Sequence, residues 1–253
     1  LVTIGPAQKT GGGRHAKRPD DLSDYVHRQL IGYIGLSLPF VLYFLAGVRG
    51  APGTERWDFL DSISAYYYTG AVAAFVGLLV ALALFLFSYQ GYRNTHHRWD
   101  RLIAGTAGFA ALGVAFFPTT APTDSVPPTW IAPTVWLHYA SAVVLFGSFA
   151  AFCLWLFRLK APNEHVTRDK SRRNRIYLLC GVAIIGGMAW TALNASQHRR
   201  IFWPESVCIV AFSISWLTKG RAVRSIRSRA RALMKKSRGT SDAARPESNN
   251  NPA

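Results

Sequence analysis

Apolar residues along this chain are bunched, and the bunches have the length of membrane-crossing helices. The clearest, Gly70–Tyr89 (GAVAAFVGLLVALALFLFSY), holds no charged residue over 20 positions. At about 1.5 Å rise per residue, roughly 20 such residues cross about 30 Å of hydrocarbon. The pattern predicts six spans: Leu30–Val48, Gly70–Tyr89, Leu102–Pro118, Val135–Phe157, Ile176–Leu193 and Ile201–Thr218. The expected fold is therefore all-α, a polytopic membrane helix bundle with six transmembrane helices. Pro39 inside the first span predicts a kink, and Ala104 with Gly108 in the third supplies small-xxx-small spacing for close helix packing. Around the membrane domain, 29–219, lie a basic arm, 1–28, and a tail, 220–253.

Charge orients this arrangement. The formal charge of +16 would point to nucleic acid in a soluble protein, but here Lys and Arg sit between the apolar runs and in the tails. The N-terminal arm, the 90–101 loop, the 158–175 loop and the segment after Thr218 hold five, three, seven and ten of them. The alternate loops 49–69, 119–134 and 194–200 hold two, none and two. Basic residues stay on the cytoplasmic side, so both termini are expected there. The Gly-rich arm carries no apolar core of a signal peptide and reads as disordered. In KGRAVRSIRSRARALMKK, Val223, Ile226, Ala230 and Leu233 repeat at helical spacing among arginines. That segment predicts an amphipathic helix on the anionic lipids of the inner leaflet, with no nucleic-acid partner expected. Cys153, Cys180 and Cys208 lie inside apolar runs without metal-like spacing and read as buried thiols.

With that orientation, polar groups gather at the outer face. The stretch DSISAYYYTG, Asp61–Gly70, leads into the second span from outside. His138 and Glu205 are the fourth and fifth residues of two spans that also enter from outside, and Thr191, Asn194 and His198 lie on the same side. Ionisable groups at such depth usually face a bundle interior, which makes Asp61, Ser64, His138 and Glu205 the candidate polar pocket. His138, Ser141 and Ser148 form one helical stripe; Glu205, Cys208, Phe212 and Ser215 form another. Blander roles compete at each position. Asp61 and Ser64 can cap the second span, Tyr66–Tyr68 suit the interfacial aromatic belt, and Glu205 after Pro204 suits a helix start. Three chemistries fit the cluster. Asp61, His138 and Glu205 can hold zinc; Ser64, His138 and an acid can form a nucleophile–base–orienter set; or His138 and Glu205 can serve proton exchange or a lipid headgroup. No Walker loop, dinucleotide fingerprint, HExxH or G-x-S-x-G motif is present in the sequence.

The stretches SISAYYYTGAVAAFVGLL, SYQGY, AALGVAFFPT, LHYASA and ESVCIVAFSISWLTKG together resemble a widespread bacterial family of uncharacterised six-span integral membrane proteins. The resemblance covers residues 30–220 and implies a multi-pass protein of the bacterial cytoplasmic membrane, without implying an activity. The span pattern is also loosely similar to eukaryotic lipid-remodelling membrane proteins and to ceramidase-like zinc hydrolases. The latter use three histidines, where this chain offers only His138 and His198 on the outer side. The function expected is binding or handling of a lipid or small amphiphile at the outer pocket. A metal-dependent membrane hydrolase, a proton-coupled transporter and a structural or partner-binding protein are the alternatives.

Overall fold

A computed structural model of the chain describes residues 20–50, 57–89, 91, 97–120, 135–159, 168–197 and 199–221. The expected disorder of 1–19, the amphipathic helix after Arg221, the loop 121–134 and His198 lie outside the described residues. Six α-helices and no strands occur among the described residues. They are α1 (Asp20–Arg49), α2 (Val72–Phe87), α3 (His97–Phe116), α4 (Val135–Leu154), α5 (Arg168–Ser196) and α6 (202–221). Short 3-10 helices at Ser64–Tyr68 and Leu156–Arg158 precede α2 and follow α4.

Each apolar run falls on a helix, but the helices extend beyond the runs. α1 begins at Asp20, so 20–28 of the basic arm, which the composition assigns to a disordered segment, is helical. α5 takes in the polar turn Arg168–Arg175 ahead of its apolar part. Three helical segments are long and apolar enough to cross a membrane: Val26–Arg49, Val135–Arg158 and Arg168–Ser196. α2 is apolar throughout but has 16 residues, about 24 Å of helix.

Neighbours in sequence pack in space: α1 on α2, α2 on α3, α3 on α4 and α4 on α5. α6 closes the bundle. Its Leu217 and Ser213 lie where side chains on Gly32 and Gly35 of α1 would stand, and its Cys208 fills the corresponding space at Gly187 of α5. Phe212 of α6 stacks on Phe149 of α4. Because α6 reaches α4 directly, α5 lies outside the ring formed by α1, α2, α3, α4 and α6. Large apolar side chains, among them Phe40, Phe44, Leu84, Phe109, Trp136, Leu179 and Leu193, point outward around the bundle. Such broad apolar exposure suits a lipid solvent rather than water.

Contacts at the two ends show which helix termini meet. At one end, Arg49 donates to the Gly70 carbonyl, Tyr68 Oη to Thr119 O, and the amides of Ile201 and Phe202 to Asp61 O. At the other, Gln29 donates to Leu217 O and Lys219 to Phe157 O, with Arg28 over the Tyr89 ring. The 3-10 helix Ser64–Tyr68 belongs to the first end.

Candidate functional site

The stretch Asp61–Gly70 turns down into the bundle instead of lying on its rim. Ile63, Ser64, Tyr66 and Thr69 are buried. The fold of this short segment is local. Ser62 Oγ accepts the Ala65 amide at 3.0 Å, Tyr66 N–H reaches Ile63 O, and Thr69 Oγ1 accepts the Ala71 amide at 3.0 Å. Thr69 thus takes the polar role at the entrance to α2 that the sequence offers to Asp61 and Ser64; the α2 N-cap itself is Ala71.

Freed from capping, Ser64 meets His138. Its Oγ lies 2.8 Å from His138 Nε2, while His138 Nδ1 lies 2.7 Å from the Phe117 carbonyl oxygen just after α3. A carbonyl only accepts, so Nδ1 carries the proton. The neutral ring then uses Nε2 as acceptor, and the Ser64 hydroxyl donates to it. His138 is 2% exposed, which shields both bonds from water. The ring joins the segment before α2 and the end of α3 to α4.

Glu205 reaches the same segment from α6. Its Oε2 accepts the Ile63 amide at 2.7 Å. The helix starts at 202, so Pro204 is not its first residue and the carboxylate turns away from its own helix to hold a neighbour. Asp61 departs from the expected cluster. Its carboxylate is on the surface beside Arg200 at 3.3 Å, with 82% of its side chain exposed, and only its carbonyl is used structurally. Asp61 is therefore not a wall of the pocket. The backbone turn that sends Ser64 inward sends Asp61 out.

Between α1, α2, α3, α4 and α6 lies a partly enclosed cavity against Ser64 and Glu205. Its volume as it stands is about 40 Å³, room for a few waters. Apart from those two residues its lining among the described residues is apolar, with Leu38, Phe75, Leu79, Leu145, Phe149 and Phe212 among the walls. His138 stands behind Ser64 and is not part of the lining. Of the two expected stripes, only part survives. Phe212 faces the cavity, but Cys208 donates to Ile184 O on α5 and Ser148 to Val144 O of its own helix.

Tyr66 corrects a second expectation. It is fully buried rather than an interfacial anchor, whereas Tyr67 and Tyr68 are half-buried. Burial raises the pKa of Tyr66 and Tyr68 above the ordinary tyrosine value, which keeps both phenols protonated at neutral pH. Tyr68 spends its proton on Thr119 O at 2.6 Å.

The donor set does not fit zinc. Asp61 faces away, both His138 nitrogens are engaged, and among the described residues no three His, Cys, Asp or Glu side chains gather for a metal. The nucleophile–base–orienter set is met in part: the orienter of His138 is the Phe117 carbonyl rather than an acid, and Glu205 bonds elsewhere. The signals that sequence reasoning missed are main-chain ones, the Phe117 carbonyl and the Ile63 amide. No family model matches this chain, and neither does any curated protein or solved structure.

Proposed function

We propose that this chain is a six-span integral membrane protein that binds a single amphiphile in the cavity among α1, α2, α3, α4 and α6. The amphiphile's head rests against Ser64 and Glu205, and its apolar chain parts the apolar walls between the helices. One observation carries this reading: a cavity whose lining among the described residues has two polar side chains and otherwise only apolar residues and glycine. Such a lining matches a molecule with the same polarity division, because polar groups fix orientation while apolar walls supply burial. Glu205 and Phe212 both line it, and seven residues of helix separate them by roughly 10 Å. The orientation inferred from Lys and Arg puts the polar end at the outer leaflet, in the bacterial cytoplasmic membrane that the family resemblance implies.

Retention of a bound molecule tests the proposal. Protein extracted in a maltoside detergent and washed should carry an amphiphile detectable by mass spectrometry. Ala142→Phe, which puts a ring into the cavity, should lose it while keeping its helical circular dichroism. Equal retention by both proteins would sink the reading.

The 2.8 Å bond between Ser64 and His138 favours a second reading, acyl transfer with Ser64 as nucleophile. A fluorophosphonate probe separates the two. Labelling of Ser64 that disappears in His138→Gln supports the nucleophile; an unlabelled native protein leaves His138 as a tether.

A further inference from the structure

We infer that the amphiphile suited to this cavity is a single-chain amine, recognised through its ammonium head. This inference rests on the amphiphile reading above and goes on to specify the head group. It starts from which protons around the polar end are already committed.

Among the described residues, Ser64 and Glu205 carry the only polar side chains in the cavity lining. The Ser64 proton is spent on His138 Nε2, because the opposite ring nitrogen donates to the Phe117 carbonyl. Ser64 therefore offers the cavity lone pairs. The Glu205 carboxylate accepts the Ile63 amide through Oε2, and that amide is its one hydrogen-bond partner among the described residues. Its other oxygen remains an acceptor. The nearby cation Arg200 is turned to the surface with Asp61. With Glu205 ionised, neither polar side chain of the lining has a proton left to give.

A head group entering this place meets acceptors on both polar side chains. A carboxylate or phosphate head would set like charge against Glu205 in apolar surroundings. A hydroxyl head has one proton for two acceptors. An ammonium has several N–H donors and the opposite charge, so it satisfies Ser64 and Glu205 together with charge-assisted bonds. A phosphate-bearing aminolipid would carry its anion into the same position, which restricts the ligand to an amine without phosphate. The remaining walls, Leu38, Phe75, Leu79, Leu145, Phe149 and Phe212, part to take the hydrocarbon chain.

The experiment compares four probes that share one chain: dodecylammonium, dodecanoate, dodecanol and dodecyltrimethylammonium. Each is titrated into the full-length protein in a neutral maltoside detergent, with the thermal melting point as readout. Dodecylammonium should bind about tenfold or more tightly than dodecanoate, the size of one charge-assisted hydrogen bond. Dodecyltrimethylammonium, which keeps the charge but lacks N–H donors, should fall between them. In Glu205→Gln the preference should shrink toward one. The amide oxygen of Gln can still accept the Ile63 amide, so the segment before α2 stays anchored and the variant should fold. Ser64→Ala should weaken dodecylammonium binding to a smaller degree and leave the order of probes unchanged. Dodecanoate binding as tightly as dodecylammonium, or an unchanged preference in Glu205→Gln, would overturn the ammonium inference. If Ala142→Phe then abolished binding of every probe, the amphiphile cavity would survive without it. Binding of dodecylammonium undiminished in Ala142→Phe would overturn both.

Discussion

His138 earns its burial through two bonds on two separate elements, and that arrangement predicts how its loss would register. His138→Phe keeps the ring volume but leaves the Ser64 hydroxyl and the Phe117 carbonyl without partners. An unsatisfied buried polar group costs about 1–3 kcal/mol, so the variant should melt well below the native protein. Ser64→Ala removes one partner and should cost less. Because both substitutions break the same bond, their effects should fall short of additive in a double-mutant cycle followed by thermal unfolding in detergent. Strict additivity would mean that the bond contributes nothing. At this scale the sequence was informative about side chains with charge at shallow depth, His138 and Glu205, because such residues are costly in apolar surroundings and need partners. It was silent on the partners themselves, since a main-chain carbonyl or amide looks alike at every position. Asp61 departs for a related reason: it lies in the bend ahead of the 3-10 helix, where the three-residue repeat that would put it on the Ser64 face has not begun.

Among the elements, glycines show where helices meet most closely. A side chain at Gly187 would collide with Cys208 and approach the Pro204 carbonyl at 3.1 Å, while one at Gly113 would meet Ser141. Close approach at small residues is a main source of helix association in lipid. Gly187→Leu should push α5 off α6 and lower the melting point. Since α5 contributes nothing to the cavity lining, the order of probe affinities should persist in whatever fraction remains folded. The same substitution at Gly35, which lines the cavity, should change both stability and binding. Binding that changes equally in the two variants would argue that the cavity depends on the whole bundle rather than on its five-helix wall. The helices themselves were legible as apolar runs, yet their ends were not. Arg168–Arg175 and Asp20–Gln29 continue their helices as polar turns, which an apolar count reads as loop or tail. The 3-10 helix Ser64–Tyr68 was hidden for the opposite reason. Five residues give too few turns for periodicity, and its position is set by Glu205 and His138 from distant parts of the chain.

For the whole molecule, the decisive question is the side on which the Ser64–Glu205 end lies. Thr120 is exposed at that end, close to Tyr139, while Arg172 is exposed near the start of α5 at the other. The three native cysteines are all buried, which lowers the background for thiol labelling. If basic residues remain cytoplasmic, a membrane-impermeant maleimide added to intact cells should modify Thr120→Cys and spare Arg172→Cys. Permeabilised cells should label both. The reverse pattern would turn the polar end inward and give the cavity cytoplasmic amines as its ligands instead of outer-leaflet ones. Labelling of both sites in intact cells would break the alternation on which six spans depend. The distribution of Lys and Arg carries this expectation because it reports how the chain was inserted, a record that the packing of helices against one another does not keep. Packing decides what the cavity can hold, and charge decides the side from which it is filled.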